Sequence, residues 1–174
     1  MKRARSSFDD AHLAVLKACA GKTLISVDAR QITCFHSRSY GEDYNFFSPV
    51  ILHFGKKDYL MFEPGEDENE DRVLTVASRN NPAPLNFETD EYGNHEKKDI
   101  SGIMVFKTIL NVTVYAFGNE EAEGVQTLDT AVLFDLEDHS SLCFSPVAYG
   151  TGLCVSESLI AQKLEHSYPR WSAR

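Results

Sequence analysis

Cys34 and His36 are the residues of this chain whose types and spacing come nearest to catalysis. Two positions apart on a strand, they would share one face, and a neighbouring histidine can activate a thiol as a nucleophile. The sequence gives no sign of an asparagine or aspartate that would orient the histidine. It also lacks the glycine-rich phosphate loops and the GxSxG nucleophile elbow. We therefore predict that the protein is not an enzyme.

The segment DENEDR is the nearest approach to a metal site. It supplies Asp67, Asn69 and Asp71 in the spacing that opens an EF-hand calcium loop. Arg72 stands where that loop needs glycine, and Ser78 stands where it needs glutamate. None of the six histidines has metal-ligand spacing to another histidine or to a cysteine. The sequence therefore predicts no metal and no cofactor, and the segment is interpreted as a solvated charge run.

His53 and the cysteines have structural interpretations. His53 alternates with Leu52 and Phe54 along a predicted strand, so we expect it to be half-exposed on the opposite face. The cysteines show no CxxC spacing, which favours reduced thiols in a cytosolic protein, with a disulfide or a metal site as the alternative. They are Cys19, Cys34, Cys143 and Cys154.

The charge of the chain limits its partners. Its formal net charge is −9, with a pI of about 5.1. An acidic surface repels phosphate backbones and anionic lipid, and it suits a basic partner or simple solubility. No apolar run approaches the ~18 residues of a membrane span, and the basic N-terminus has no apolar segment of a secretory signal. We predict a cytoplasmic protein that contacts neither nucleic acid nor membrane directly.

Acidic residues next to aromatic ones form the predicted partner-binding surface. Acids of one loop would steer a basic partner electrostatically, although the same run also serves solubility. Tyrosines would anchor the contact. The predicted residues are Glu63, Glu66, Asp67, Glu68, Glu70, Asp71, Tyr40, Tyr44 and Tyr92.

Periodicity predicts the elements that position these residues. Helical spacing of Leu13, Leu16 and Cys19, with Ser7 as N-cap, predicts a helix over 8–20. Alternation then predicts strands through most of the chain, including a long one over 103–117. Its nearly unbroken apolar face would hold Met104, Phe106, Thr108, Leu110, Val112, Val114 and Ala116. Ser156 is expected to cap a last helix, and the segment SYPRWSAR is interpreted as a tail.

Two segments of the chain resemble each other. GKTLISVDA (21–29) aligns with FKTILNVTV (106–114), and VILHFGKKDYLMFEP (50–64) aligns without a gap with VLFDLEDHSSLCFSP (132–146). We interpret them as two copies of a β-meander unit, over about 21–78 and 106–156, joined by a long loop over 79–101. Two such units can share a core, either as one continuous sheet or as two packed layers. The prediction is a single α+β domain over 1–174, mainly antiparallel sheet, with an N-terminal and a C-terminal helix.

The phrase GKTLISVDA…VILHFGKKDYLMFEP resembles small bacterial proteins encoded beside polymorphic toxins, in particular the immunity proteins of contact-dependent growth inhibition systems. The resemblance implies an acidic, non-catalytic, β-rich protein that binds one cognate toxin and blocks its active or substrate-binding surface. A basic, nuclease-type toxin is the expected partner. The alternative hypothesis is a small-molecule-binding module whose ligand lies between the two repeats.

Overall fold

The chain folds mainly into antiparallel strands, as its alternating apolar pattern predicts. The computed structural model describes residues 8–29, 32–34, 43–46, 50–55, 57–66, 72–79, 87–89, 95–97, 101–117, 128–147 and 150–174. The helices are α1 (Asp10–Lys17) and α2 (Glu157–Leu164). The strands are β1 (Thr23–Ala29), β2 (Ile32–Cys34), β3 (Tyr44–Phe46), β4 (Val50–Gly55), β5 (Asp58–Glu66), β6 (Arg72–Arg79), β7 (Phe87–Thr89), β8 (His95–Lys97), β9 (Ser101–Phe117), β10 (Leu128–Leu136), β11 (Ser141–Val147), β12 (Gly150–Cys154) and β13 (Ser167–Ala173). The α+β class, with one helix near each end, is confirmed.

Eleven of these strands form one hydrogen-bonded sheet in the order β2-β3-β12-β11-β10-β9-β1-β4-β5-β6, with β13 paired to β9 beside this path. We call β1, β4, β5 and β6 the first half and β9 to β12 the second half. The two halves meet where β1 pairs with β9. Strands β7 and β8 pair with each other as a separate ribbon within the connection that the sequence predicts as a loop.

The inner faces of the two halves pack on each other. Phe62 of β5 stacks on Phe144 of β11, with ring centroids 5.1 Å apart, and meets Phe134 of β10 edge-on at 6.3 Å. All three rings are fully buried. The sheet is therefore continuous in its hydrogen bonds, and its halves also form two packed layers.

Helix α1 begins later than the sequence predicts. Its N-cap is Asp9, whose carboxylate accepts from the backbone N–H of His12 at 2.9 Å. An aspartate at this position satisfies a free backbone donor of the first turn, so the cap falls two residues beyond Ser7. The helix ends at Lys17 rather than at residue 20. Leu16 and Cys19 are buried in the core, as the helical spacing predicts.

Strand β9 exists where the sequence predicts it, but only the second part of its predicted apolar face is buried. Val112, Val114 and Ala116 are fully buried, as predicted, whereas Met104, Phe106 and Leu110 are exposed. The first part of the strand instead turns Ile103, Val105 and Ile109 toward the core. The change of side falls at Leu110, where the register of β10 with β9 shifts between Asp135 and Leu136. An added residue in one strand reverses which side of it faces the core.

The C-terminal segment is also not a tail. Strand β13 pairs antiparallel with β9, from Ser167 opposite Phe117 to Ala173 opposite Val112. Arg170 adds a charged anchor, since its guanidinium lies 2.7 Å from both carboxylate oxygens of Asp129, a residue that is almost fully buried. Pro169 lies within this strand. An edge strand tolerates proline because the position without an N–H can face solvent, so that no hydrogen bond between strands is lost.

We expect Arg170→Met to destabilise the protein by about 3 kcal/mol, because it leaves the buried carboxylate of Asp129 without its cation. Urea unfolding of the variant measures this. The double variant with Asp129→Asn removes the orphaned charge and recovers part of the loss. A single variant as stable as the parent would mean that this ion pair does not hold β13 in place.

Candidate functional site

The two hairpins of the sheet have the same pairing register. Four of the five residue pairs of the β4–β5 hairpin have counterparts 82 positions later in the β10–β11 hairpin. These four pairs of the first hairpin are Val50–Phe62, Ile51–Met61, Leu52–Leu60 and His53–Tyr59. Those of the second are Val132–Phe144, Leu133–Cys143, Phe134–Leu142 and Asp135–Ser141. The aligned segments therefore occupy equivalent places in the two halves.

Strands β1 and β9 are equivalent in the same way, and they pair with each other about Thr23 and Thr108. On one side of this pair Leu24 lies opposite Lys107. On the other side the N–H of Ile109 donates to the carbonyl of Lys22 at 2.9 Å. An offset of 85 positions relates Lys22 to Lys107 and Leu24 to Ile109, so each of the two contacts is the counterpart of the other. The seam between the halves therefore has an approximate two-fold axis at the threonine pair.

In each half, a lysine forms an ion pair at the hairpin turn. It is the second residue of the aligned segment, Lys22 in the first half and Lys107 in the second. The ammonium of Lys22 lies 2.8 Å from a carboxylate oxygen of Asp58, where β5 begins. Lys107 reaches Asp138 at 2.6 Å and the hydroxyl of Ser140 at 3.4 Å in the turn before β11. Hydrogen bonds from Lys107 and Ser140 lower the pKa of Asp138 far below its ordinary value. These lysines thus serve the fold.

The outer face of the seam carries three of the five large apolar side chains that are exposed among the described residues. Met104 is 60% exposed, Phe106 63% and Leu110 50%. We call these three residues the seam strip. All lie on β9 and point away from the core because the irregular pairing of this strand turns them outward. Adjacent exposed apolar side chains on a soluble protein mark an interaction surface.

Phe106 also has an unusual backbone. Its φ is +50°, in the left-handed region that bulky side chains avoid. Its counterpart 85 positions earlier is Gly21, whose φ is +81°. Glycine adopts this conformation without steric cost, whereas an L-residue loses roughly 1–2 kcal/mol there. The first half therefore fills this position with the residue that the backbone favours, and the second half fills it with an exposed phenylalanine.

The structure places only part of the predicted acidic surface. Glu63 is exposed on β5. Tyr44 is half-buried in β3 and packs against the core, so most of its ring is turned toward the protein. The end of β5 includes the backbone of Glu66. The other predicted residues lie outside the described ones: Tyr40, Asp67, Glu68, Glu70, Asp71 and Tyr92.

Sequence reasoning missed the seam strip because it assigned those residues to a buried face. One signal could have found Phe106. The alignment of 21–29 with 106–114 sets it opposite Gly21, which directly follows the predicted helix, a place where glycine commonly adopts the left-handed conformation. A phenylalanine at the equivalent position must adopt either the same left-handed conformation, with steric strain, or a different backbone conformation. The structure shows the left-handed conformation.

His53 lies in a polar cluster on the outer face, in agreement with its predicted half exposure. Its Nε2 is 3.0 Å from Oδ2 of Asp28, and the hydroxyl of Ser26 donates to the same oxygen at 3.1 Å. The aspartate lies between the other two, so the hydroxyl bonds to the carboxylate and not to the imidazole, unlike the serine of a Ser-His-Asp triad. The equivalent cluster of the second half is Asn111, Thr113 and Asp135, in which the amide of Asn111 donates to Asp135 at 3.1 Å.

The cysteines that the structure describes are unsuited to nucleophilic chemistry. Cys19, Cys143 and Cys154 are buried and are not part of a disulfide. Burial raises the pKa of both Cys19 and Cys143 to about 12, so the thiolate is almost absent at neutral pH. The predicted Cys34–His36 pair is not among these thiols, and His36 lies outside the described residues.

Within the part of the chain that the structure describes, no group of three or more His, Cys, Asp or Glu side chains could hold a metal ion. The same residues contain no helix that is both long and apolar enough to cross a membrane. No protein-family model, curated protein or solved structure matches the chain. Functional inference therefore depends on the surface features of this fold.

We expect the three described thiols to resist a thiol-specific reagent in the folded protein. In a Cys34→Ser variant, labelling by a chromogenic disulfide at about pH 8 should be more than about a hundredfold slower than in denaturant, because burial suppresses the thiolate. Absorbance of the released thiolate measures the rate. Rapid labelling of one thiol in the folded protein would contradict this account and would reopen a nucleophilic role.

Proposed function

We propose that this chain is a non-catalytic immunity protein of the contact-dependent growth inhibition type. It binds one cognate toxin in the cytoplasm and occludes the surface with which that toxin engages nucleic acid. The observation that carries this proposal is the exposed Phe106 in a left-handed backbone. A residue held at a cost in stability, where the equivalent position has glycine, indicates selection for the side chain itself.

The seam strip provides the anchor that such an interface needs. Interface energy concentrates in a few large side chains near the centre of the contact, with polar residues around them. Phe106 is flanked by Met104 and Leu110, so a partner that covers the strip removes three apolar side chains from water together. Rigid strands on both sides of the seam fix these side chains before binding, which lowers the entropy cost of association.

The charge of the chain selects the class of partner. A net charge of −9 repels nucleic acid and attracts a protein that must itself be basic to hold nucleic acid. Glu63 is exposed on β5, and the acidic run that follows it would form part of the polar rim. In this proposal the acids steer the approach of the toxin, and the seam strip holds it after contact.

We further propose that the sheet arose by duplication of a β-meander unit. Three features support this origin. They are the common register of the two hairpins, the ion pairs of Lys22 and Lys107 at the hairpin turns, and the left-handed backbone at both Gly21 and Phe106. Duplication would give the chain two equivalent seam positions. One of them has kept the residue that suits the fold, and the other has gained a side chain that suits a partner.

The alternative, a ligand between the two repeats, has less support from the packing. Buried aromatic rings of Phe62, Phe134 and Phe144 fill the described part of that space.

The direct test uses the basic protein that co-purifies with this chain from its native source. Titration of that purified protein with the chain should abolish its nuclease activity at a one-to-one ratio, and binding should weaken at high salt because charge steers association. A chain that co-purifies with no basic protein, or that leaves the nuclease active at excess, would overturn the proposal.

Phe106→Gly should separate stability from binding. We expect the free energy of unfolding to stay unchanged or to rise by up to about 1 kcal/mol, because glycine relieves the left-handed strain. Affinity for the toxin should fall by more than about tenfold, because the anchor is lost. Urea unfolding and calorimetric titration measure the two effects.

His139→Gly is the matched control. His139 also has a positive φ, of +66°, but it lies in the turn between β10 and β11. Glycine there should relieve strain in the same way and leave toxin affinity unchanged. If Phe106→Gly binds the toxin as tightly as the parent does, the seam strip is not the interface.

A further inference from the structure

Cys143 and Cys154 lie directly opposite each other where β11 pairs with β12. Their strand neighbours Leu142, Phe144 and Leu153 belong to the core between the two halves, so alternation turns both cysteines to the outer face of the sheet. Both side chains are fully buried there, in one cluster, and neither is part of a disulfide. Burial raises the pKa of Cys143 to about 12, and the proximity of Cys154 adds to the rise.

The pairing of the two strands places these cysteines within reach of a disulfide. Directly opposite residues of an antiparallel pair have Cα atoms roughly 4.5–5.5 Å apart, and a disulfide spans Cα separations of about 4.4–6.8 Å. Their side chains also point to the same face of the sheet. The bond therefore requires a change of side-chain rotamer but no displacement of either strand.

The cysteine pair has no equivalent in the first half. The offset of 82 positions relates Cys143 to Met61, and Met61 lies opposite Ala77 where β5 pairs with β6. Neither methionine nor alanine can form a disulfide. Both members of the pair differ between the halves, so the two cysteines occur together as a feature of the second half alone.

Helix α2 covers the cysteine pair. Leu159 is buried in the same cluster as the two cysteines, and Ile160 and Leu164 pack against that cluster. The helix has only eight residues, and Leu159 is the one that it buries. A short element with few buried apolar contacts opens more readily than the strands of a core. We therefore expect α2 to control the access of a reagent to the thiols.

Asp43 holds the start of α2 in place. Its carboxylate accepts hydrogen bonds from the N–H groups of Val155 and Ser156, at 2.7 and 2.9 Å, and from the Ser156 hydroxyl at 2.7 Å. These two residues directly follow Cys154, at the point where β12 ends and α2 begins. The contact with Asp43 therefore keeps α2 closed over the cysteine pair.

We propose that Cys143 and Cys154 are a redox-active pair, which a small disulfide such as oxidised glutathione converts to an intramolecular disulfide when α2 opens. The thiolate of one cysteine attacks a sulfur of oxidised glutathione and releases one glutathione, which leaves a mixed disulfide. The opposite cysteine then attacks that bond and releases the second glutathione. The pair loses two protons and two electrons, and oxidised glutathione gains them. Oxidation joins β11 to β12 and does not depend on the proposed binding of a toxin, because neither cysteine belongs to the seam strip.

Incubation of the Cys34→Ser chain with excess oxidised glutathione, at about pH 8, tests this proposal. After alkylation in denaturant, mass spectrometry should show that Cys143 and Cys154 lose their thiols together and slowly. Chymotrypsin cleaves after Phe144 and Tyr149, so the disulfide should join two peptides that are otherwise separate. Excess reductant should restore both thiols. A pair that stays reduced, or a lasting glutathione adduct on either cysteine, would overturn the proposal.

Cys19 is the internal control for this reaction. It is also buried, and its Sγ donates to the carbonyl of Val15 at 3.5 Å, but among the described residues no cysteine lies opposite it. It should therefore take up at most a glutathione. Cys154→Ala should give Cys143 the same behaviour, because a mixed disulfide on Cys143 then has no neighbouring thiol to displace the glutathione.

Asp43→Ala tests the role of α2. The variant should form the disulfide at least about fivefold faster than the parent, because it loosens the start of the helix. Asp138→Ala is the matched control, since Asp138 also accepts from a backbone N–H and a hydroxyl, both of Ser140, but lies in the turn between β10 and β11. Its rate should equal that of the parent. Equal rates in the parent and both variants would contradict the assignment of α2 as the cover.

Discussion

The pairing of β1 with β9 is the contact on which the rest of the structure depends. Strand β9 is 17 residues long, and its first part pairs with β1 while its second part pairs with β10 and β13. It therefore belongs to both halves and sets their relative placement. Phe62 can meet Phe134 and Phe144 only because this strand brings the two inner faces together. Loss of this pairing would divide the core.

The same strand explains why an apolar sequence is partly exposed. A continuous strand of even alternation would bury one complete side, but β9 must serve two layers and changes side where its pairing is irregular. Met104 and Phe106 lie before this change of side and Leu110 lies at it, and the three residues form the seam strip. Natural proteins use such irregularities to redirect side chains beside functional sites. The fold and the proposed interface thus have one origin.

Local patterns in the sequence predict much of this fold, and tertiary pairing decides the rest. Helical spacing finds α1 and α2, and alternation finds β1, both hairpins and the span of β9, because these signals are local. The side of β9 that faces the core depends on its pairing with other strands. The strand over 167–173 has no clear alternation and forms because β9 offers it an edge. The burial of Ser145 likewise depends on tertiary packing, because residues distant in the sequence must cover it.

The proposed interface likewise depends partly on features that the sequence shows and partly on tertiary pairing. Net charge and composition predict the class of partner, whereas the surface that meets it depends on where β9 turns its side chains. Hydrogen–deuterium exchange of the chain, alone and bound to its co-purifying basic protein, tests the central claim most directly. The account predicts slower exchange over residues 101–110 in the complex. Protection confined to other segments, with these residues unchanged, would contradict it.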